Sequence, residues 1–158
     1  MEIKDKKLHR IAMTVIIYRD NGQYLITKRS MREKAFPGKW TVPGGNLETD
    51  DYINLPPTTA AGQWYNALEN GIRREIKEEV GVEIGKCEYL LDLAFIRPDG
   101  IPVVVLSYYA PYVSGDVMHD EDTTDSAWVT AEKAKTYDLI DGIADEIEMV
   151  DNILKNRK

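Results

Sequence analysis

The ten residues Arg73-Arg74-Glu75-Ile76-Lys77-Glu78-Glu79-Val80-Gly81-Val82 constrain this chain more than any other stretch. Leu68, Ile72, Ile76 and Val80 recur every fourth residue, the apolar stripe of a helix that packs on a core. Glu75, Glu78 and Glu79 stand at i, i+3 and i+4, so on that helix their carboxylates converge on one surface. That surface lies roughly 100° around from the stripe, at the border of the buried face, where solvent screens less. Three like charges there repel unless protons or cations intervene. Clustered hard oxygen ligands suit Mg²⁺ or Mn²⁺.

A Glu-rich helix alone reads as a solvated acidic face, and here the context decides. Arg74-Glu75-Ile76-Lys77-Glu78-Glu79-Val80-Gly81-Val82 fits R-E-U-x-E-E-x-G-U, with U apolar, at every fixed position. Upstream, Phe36-Pro37-Gly38-Lys39-Trp40-Thr41-Val42-Pro43-Gly44-Gly45 fits P-G-x-W-x-x-P-G-G. These are the second half of the Nudix box and the segment leading into it, and from about His9 to Leu139 the chain resembles a Nudix hydrolase. The resemblance implies an α/β fold, the Nudix α/β/α sandwich with a mixed β-sheet, as a single domain over residues 1–158. It implies hydrolysis of a phosphoanhydride in a nucleoside diphosphate linked to another group. Glu75, Glu78, Glu79 and the Gly44 carbonyl are then the metal ligands, for Mg²⁺ or Mn²⁺. Arg74 would position carboxylates, and Glu79 or a loop acid would be the general base.

Composition narrows the partners. A net charge of −7 disfavours binding to a nucleic-acid backbone, while a small nucleotide substrate stays compatible if cations meet its phosphates. No apolar run approaches the ~18 residues of a membrane span, so no membrane partner is expected. Met1 to Arg10 lack the apolar core of a signal peptide, and the lone Cys87 cannot form an internal disulfide. The cytoplasm is therefore the expected compartment. A homodimer is compatible with the sequence.

Along the chain, His9–Arg19 and Gln23–Lys28 read as strands joined by the hairpin signal Asp20-Asn21-Gly22. A basic stretch follows (Lys28, Arg29, Arg32, Lys34, Lys39), either an ordinary solvated loop or a phosphate contact, with Arg29 its best candidate. Trp40–Val42, Tyr89–Ile96, Val103–Pro111 and Ser126–Val129 are further strands, and Gly142–Leu154 is a closing amphipathic helix. Thr130 is placed to cap a helix carrying Glu132. Pro98 in Arg97-Pro98-Asp99-Gly100 is read as a turn proline, although relatives acting on ADP-ribose often carry a proline there. The acidic loop Val113–Thr124 offers one more carboxylate, Glu121 first and Asp122 next.

One departure from the family stands out. The full motif places a Gly, five residues, a Glu and seven residues before the Arg. Counting back from Arg74 puts that Glu on Asn66 and that Gly on Ala60. With Gly45 as the motif glycine, the segment is fifteen residues too long, an insertion expected over Thr49–Gln63, with Asn66 or Glu48 replacing the missing Glu. Tyr52, Trp64 and Tyr65 offer flat faces for a nucleobase; Tyr52 and Trp64 are the substrate-binding candidates, packing at the helix start being the plainer reading of Trp64. Two rival functions use the same residues: a catalytically silent domain that senses a nucleotide, and isomerisation of an isoprenoid diphosphate. Three clustered carboxylates argue against the first, and the poor placement of Cys87 against the second.

Overall fold

The computed structural model describes residues 2–158, and its layout follows from one central pair of strands. In β1 (Arg10–Tyr18), Met13, Val15 and Ile17 face one side and Ile16 the other, all fully buried. A strand apolar on both faces needs cover on both. Its neighbour β7 (Pro102–Ser114) runs parallel to it, in register from Arg10↔Val103 to Tyr18↔Pro111. The other strands are β2 (Tyr24–Arg29), β3 (Trp40–Thr41), β4 (Gly44–Asn46), β5 (Glu83–Ile84), β6 (Glu88–Ile96) and β8 (Thr123–Val129). They pair antiparallel onto this centre, completing a mixed eight-stranded sheet.

Helices cover both faces. On one side α1 (Ala67–Val80) presses Ile72, Ile76 and Val80 onto Met13, Val15, Ile17 and Leu25. On the other, α2 (Ala131–Ala134) and α3 (Ile143–Lys155) bury Ala134, Ile147 and Val150 against Ile16, Tyr24 and Ile26. This is the expected α/β/α sandwich with a mixed sheet. Thr130 caps α2 as expected, its hydroxyl accepting from the Lys133 N–H at 3.1 Å. Gly81 ends α1 in the left-handed region (φ 73°), where a side chain would be strained, and its N–H closes onto Ile76 O and Lys77 O. Pro98 lies in the β6–β7 turn, which Gly100 N–H closes onto Arg97 O at 2.9 Å.

Between β4 and α1 the chain makes its long excursion. A 3₁₀ turn, Thr49–Asp51, comes first. Residues 52–66 then fold back on themselves: Thr58 N–H donates to Gln63 O (2.7 Å), Tyr65 N–H to Thr58 Oγ1 (3.1 Å), and the Tyr52 and Trp64 rings meet at 5.3 Å.

Candidate active site

The stripe of α1 determines where its acids point. With Ile72, Ile76 and Val80 sunk into the core, Glu75 and Glu79 emerge at the border of the helix–sheet contact, against β4. Glu79 is held most firmly. Its Oε2 accepts from the Gly44 N–H at 3.1 Å and its Oε1 from the Thr123 hydroxyl at 3.1 Å. Glu75 packs against Gly45: a Cβ there would clash with the Glu75 carboxyl and push it from its present place. Gly44 is shut in likewise, a Cβ falling 2.3 Å from Met13 O. The Gly-Gly pair is thus the floor on which two carboxylates rest.

The pairing phase also orients the Gly44 backbone. Val15 N–H donates to Pro43 O and Leu47 N–H to Ile11 O, so Gly44, between these positions, turns its N–H and C=O away from β1. The N–H is taken by Glu79, and the carbonyl faces the same side.

Arg74 ties the remaining acids together. Its Nη1 donates to Glu78 Oε2 (2.8 Å) and its Nη2 to Glu75 Oε1 (2.9 Å), while its Nε donates to Asp51 Oδ1. The Asp51 side chain is fully buried, and its Oδ2 accepts from the Glu48 N–H at 2.9 Å. Burial alone would raise the Asp51 carboxyl, but the Arg74 guanidinium and the Glu48 N–H hold it below the usual carboxylate value. The helix makes room for it at Gly71, where a Cβ would sit 2.9 Å from Asp51 Oδ2.

Asp51 is the residue that the sequence reading missed. Counted forward, five residues separate Gly45 from Asp51, so the motif spacing is kept and the carboxylate is one methylene shorter. Neither Asn66 nor Glu48 takes the position: Asn66 begins α1 in the left-handed region without a side-chain cap, and Glu48 supplies Asp51 with a backbone N–H. The insertion accordingly begins three residues later than expected, as the fifteen residues Tyr52–Asn66. Cutting out Tyr52–Asn66 should preserve metal-dependent turnover and change KM or substrate preference by about tenfold. The cut Thr49–Gln63 should lower kcat by at least roughly 10², because it removes Asp51. Kinetics of the two deletion variants check both.

The loop carboxylate also differs from expectation. The Glu121 side chain is 91% exposed and faces Arg32 at 3.9 Å, away from the cluster. Asp122 is drawn to Glu33. Asp120 is the loop acid whose charge reaches Glu79, held by Asp122 N–H and Thr123 N–H, each 2.9 Å from its Oδ1. Desolvation pushes the Glu79 carboxyl up to about 7, with Asp120 and Glu75 adding to the rise and the Gly44 and Thr123 hydrogen bonds opposing it. Glu75 is raised too, by burial, against the pull of Arg74.

Other candidates are engaged locally. Arg29 donates from Nε to Ala35 O (2.9 Å) and from Nη2 to Glu33 (3.1 Å), which shapes its own loop. Trp64 gives its Nε1–H to Leu55 O (2.9 Å) and its ring to Tyr52, so the two aromatics hold the excursion together. Burial raises the Cys87 thiol, as suits a packed residue. Cavities of about 270 and 450 Å³ flank α2 and α3, away from the carboxylates. No helix among the described residues is long and apolar enough to cross a membrane.

Among the described residues no three acid, His or Cys side chains form a closed metal cage, and Arg74 is paired with both Glu75 and Glu78. The donors nevertheless fit a hard divalent cation: the carboxylates of Glu75, Glu78 and Glu79 and the Gly44 carbonyl are all oxygen, and Glu79 and Gly44 already stand in contact.

A carboxylate-bearing helix laid over a Gly-Gly turn in an α/β/α sandwich is the arrangement that the resemblance to Nudix hydrolases implied. The NUDIX domain model matches residues 8–151, and the chain belongs to the Nudix family. It is similar to nucleoside triphosphatase NudI of Klebsiella pneumoniae (strain 342), 30% identical over 133 residues, covering 78% of this chain and 84% of that protein. NudI of Enterobacter sp. (strain 638) is 28% identical over 140 residues, with the same coverage. Among solved structures, the MutT protein of Methanosarcina mazei Go1 superposes with a TM-score of 0.70 at 24% identity, covering 98% of this chain and 100% of that one. The NUDIX domain of Shewanella oneidensis NrtR, complexed with ADP ribose, gives 0.69 at 19% identity over 94% and 90%. The chain is a Nudix enzyme that hydrolyses nucleoside diphosphate-linked substrates, and enzymes of this family generally need a divalent metal.

Proposed function

We propose that this enzyme acts on nucleoside triphosphates, with Mg²⁺ or Mn²⁺ held by Glu75, Glu78, Glu79 and the Gly44 carbonyl. One observation carries the site assignment: Asp51 and Arg74 gather Glu75 and Glu78 beside a Glu79 already fixed on Gly44. The substrate class rests on the two nucleoside triphosphatases that the chain matches over 84% of their length.

A metal held by Glu75, Glu78, Glu79 and the Gly44 carbonyl would supply charge neutralisation on the phosphate oxygens and a more acidic attacking water. The chain's own groups do the rest. Glu79, as a carboxylate, takes the proton of the water as the water oxygen bonds to phosphorus and the bridging P–O bond breaks, leaving phosphate or pyrophosphate as the departing group. Thr123 and the Gly44 N–H orient that carboxylate. Asp120 replaces Glu121 as the loop acid that completes the site. Arg74 holds Glu75 and Glu78 together and correctly turned. Tyr52 and Trp64, paired with each other, hold the excursion in shape, and Arg29 fixes its own basic loop.

A panel of nucleoside triphosphates, nucleotide sugars, ADP-ribose and dinucleoside polyphosphates, each with Mg²⁺ and with Mn²⁺, tests the proposal. The triphosphates should give kcat/KM at least about tenfold above the other classes. Preference for any other class would overturn the substrate assignment. Tight binding of a member without turnover of any would favour the sensor reading.

A further inference from the structure

The far edge of the sheet is open. Among the described residues β6 pairs only with β7; its one bulge lies at Tyr89–Leu91, and from Leu91 to Ile96 the strand is regular, with no Lys, Arg or Pro and Asp92 its single charge. Its backbone phase can be read from the turn. Arg97 N–H donates to Ile101 O (3.0 Å), and Ile96 stands opposite Pro102, which has no N–H. Leu91, Leu93 and Phe95 therefore direct their backbone groups to β7, and Asp92 and Ala94 direct theirs outward. The side chains of the first set lie opposite Ser107, Val105 and Val103 on the α3 face. Leu93 (39%) and Phe95 (37%) remain exposed there.

We propose that β6 pairs antiparallel with β6 of a second copy of this chain about a twofold axis at Leu93, extending the sheet through the dimer. The strand is self-complementary in that register. Asp92 meets Ala94 of the second copy, so the outward N–H and C=O groups of both close four backbone hydrogen bonds. On the α3 face Leu91 meets Phe95 of the second copy and Leu93 meets its own mate, making one apolar stripe of six side chains. A register centred on Asp92 would set two carboxylates face to face, and one centred on Ala94 would lay the Arg97 guanidinium against Leu91. Leu93 is thereby selected. The contact is small, so association lies in the micromolar range.

Sedimentation analysis from about 1 to 200 μM tests this, a range spanning ordinary dissociation constants for such contacts. Wild type should pass from 18.0 kDa to twice that mass. Ala94→Pro removes an N–H that the β6–β7 ladder does not use, so the variant should stay folded with unchanged kcat/KM while its dimer dissociation constant rises at least roughly a hundredfold. Leu93→Cys in a Cys87→Ser background adds a readout of register. Opposed residues at a non-hydrogen-bonded pair lie within disulfide reach, so diamide should yield a cross-linked dimer. A wild type monomeric throughout would overturn the proposal. A dimer untouched by Ala94→Pro, or a Leu93→Cys protein that does not cross-link, would overturn it equally.

Discussion

Replacing Glu79 with glutamine is expected to lower kcat by at least ~10³, about 4 kcal/mol of lost transition-state stabilisation. Glutamine keeps an oxygen for the Gly44 N–H and turns its amide N–H to the Thr123 hydroxyl, which then accepts, so the site stays assembled while its anionic ligand and base is lost. The same variant has an opposite effect on stability. The folded pKa of Glu79 is raised to about 7 from an ordinary 4.5, chiefly by desolvation. Its protonated form therefore favours the fold below the unfolded pKa, and that contribution is lost as pH rises through about 7. Metal-free wild type should lose on the order of 2 kcal/mol more than Glu79→Gln between pH 4.5 and 8, since a pKa unit corresponds to about 1.4 kcal/mol and the side chain is only part-buried. Denaturant titrations of both metal-free proteins at the two pH values measure the difference. Bound metal should abolish it by favouring the ionised form. Catalysis and metal-free stability thus conflict at one residue.

Asp51→Ala should produce the second large effect, although Asp51 lies outside the stretch that carries the other acids. The substitution takes a fully buried carboxylate from Arg74 and from the Glu48 N–H. Loss of such a partner costs about 2–4 kcal/mol of stability. Freed from Asp51, the guanidinium no longer fixes Glu75 and Glu78, and misplacement of ligands by ~1 Å costs roughly 10² in kcat. KM should change little, because Asp51 touches no substrate. Asp51→Glu restores the charge but drives a longer side chain toward Gly71, so only partial recovery is expected. Steady-state kinetics with thermal unfolding of the same preparations separate the positioning effect from simple instability. A kcat within about twofold of wild type in a folded Asp51→Ala protein would mean that Arg74 needs no anchor.

These two residues show what the sequence does and does not disclose. Glu79 was legible because three carboxylates at helical spacing, an apolar stripe and a preceding Gly-Gly turn agree on one helix and one floor. The sandwich was legible for the same reason: β-branched runs and turn signals placed the long strands and the closing helix. Asp51 was obscured by the insertion, since the spacing fails when counted back from Arg74 and holds when counted forward from Gly45. Its depth, and the matching absence of a side chain at Gly71, are facts of packing that no local pattern announces. Asp120 was hidden by its neighbours. Composition cannot choose among Asp120, Glu121 and Asp122; what separates them is local, Asp120 accepting two backbone N–H groups while Glu121 is left in solvent. Tyr52 and Trp64 were visible as aromatics, but their mutual packing depends on how the excursion closes.

The most direct test of the central claim is the rate of nucleoside triphosphate hydrolysis by wild-type protein, first freed of metal with EDTA and then titrated with Mg²⁺. The account predicts no turnover in the metal-free enzyme and saturable recovery as the cation is restored, with Glu78→Gln failing to recover at the same concentrations. Turnover that persists in the metal-free enzyme would contradict it, and so would recovery by Glu78→Gln to the wild-type rate.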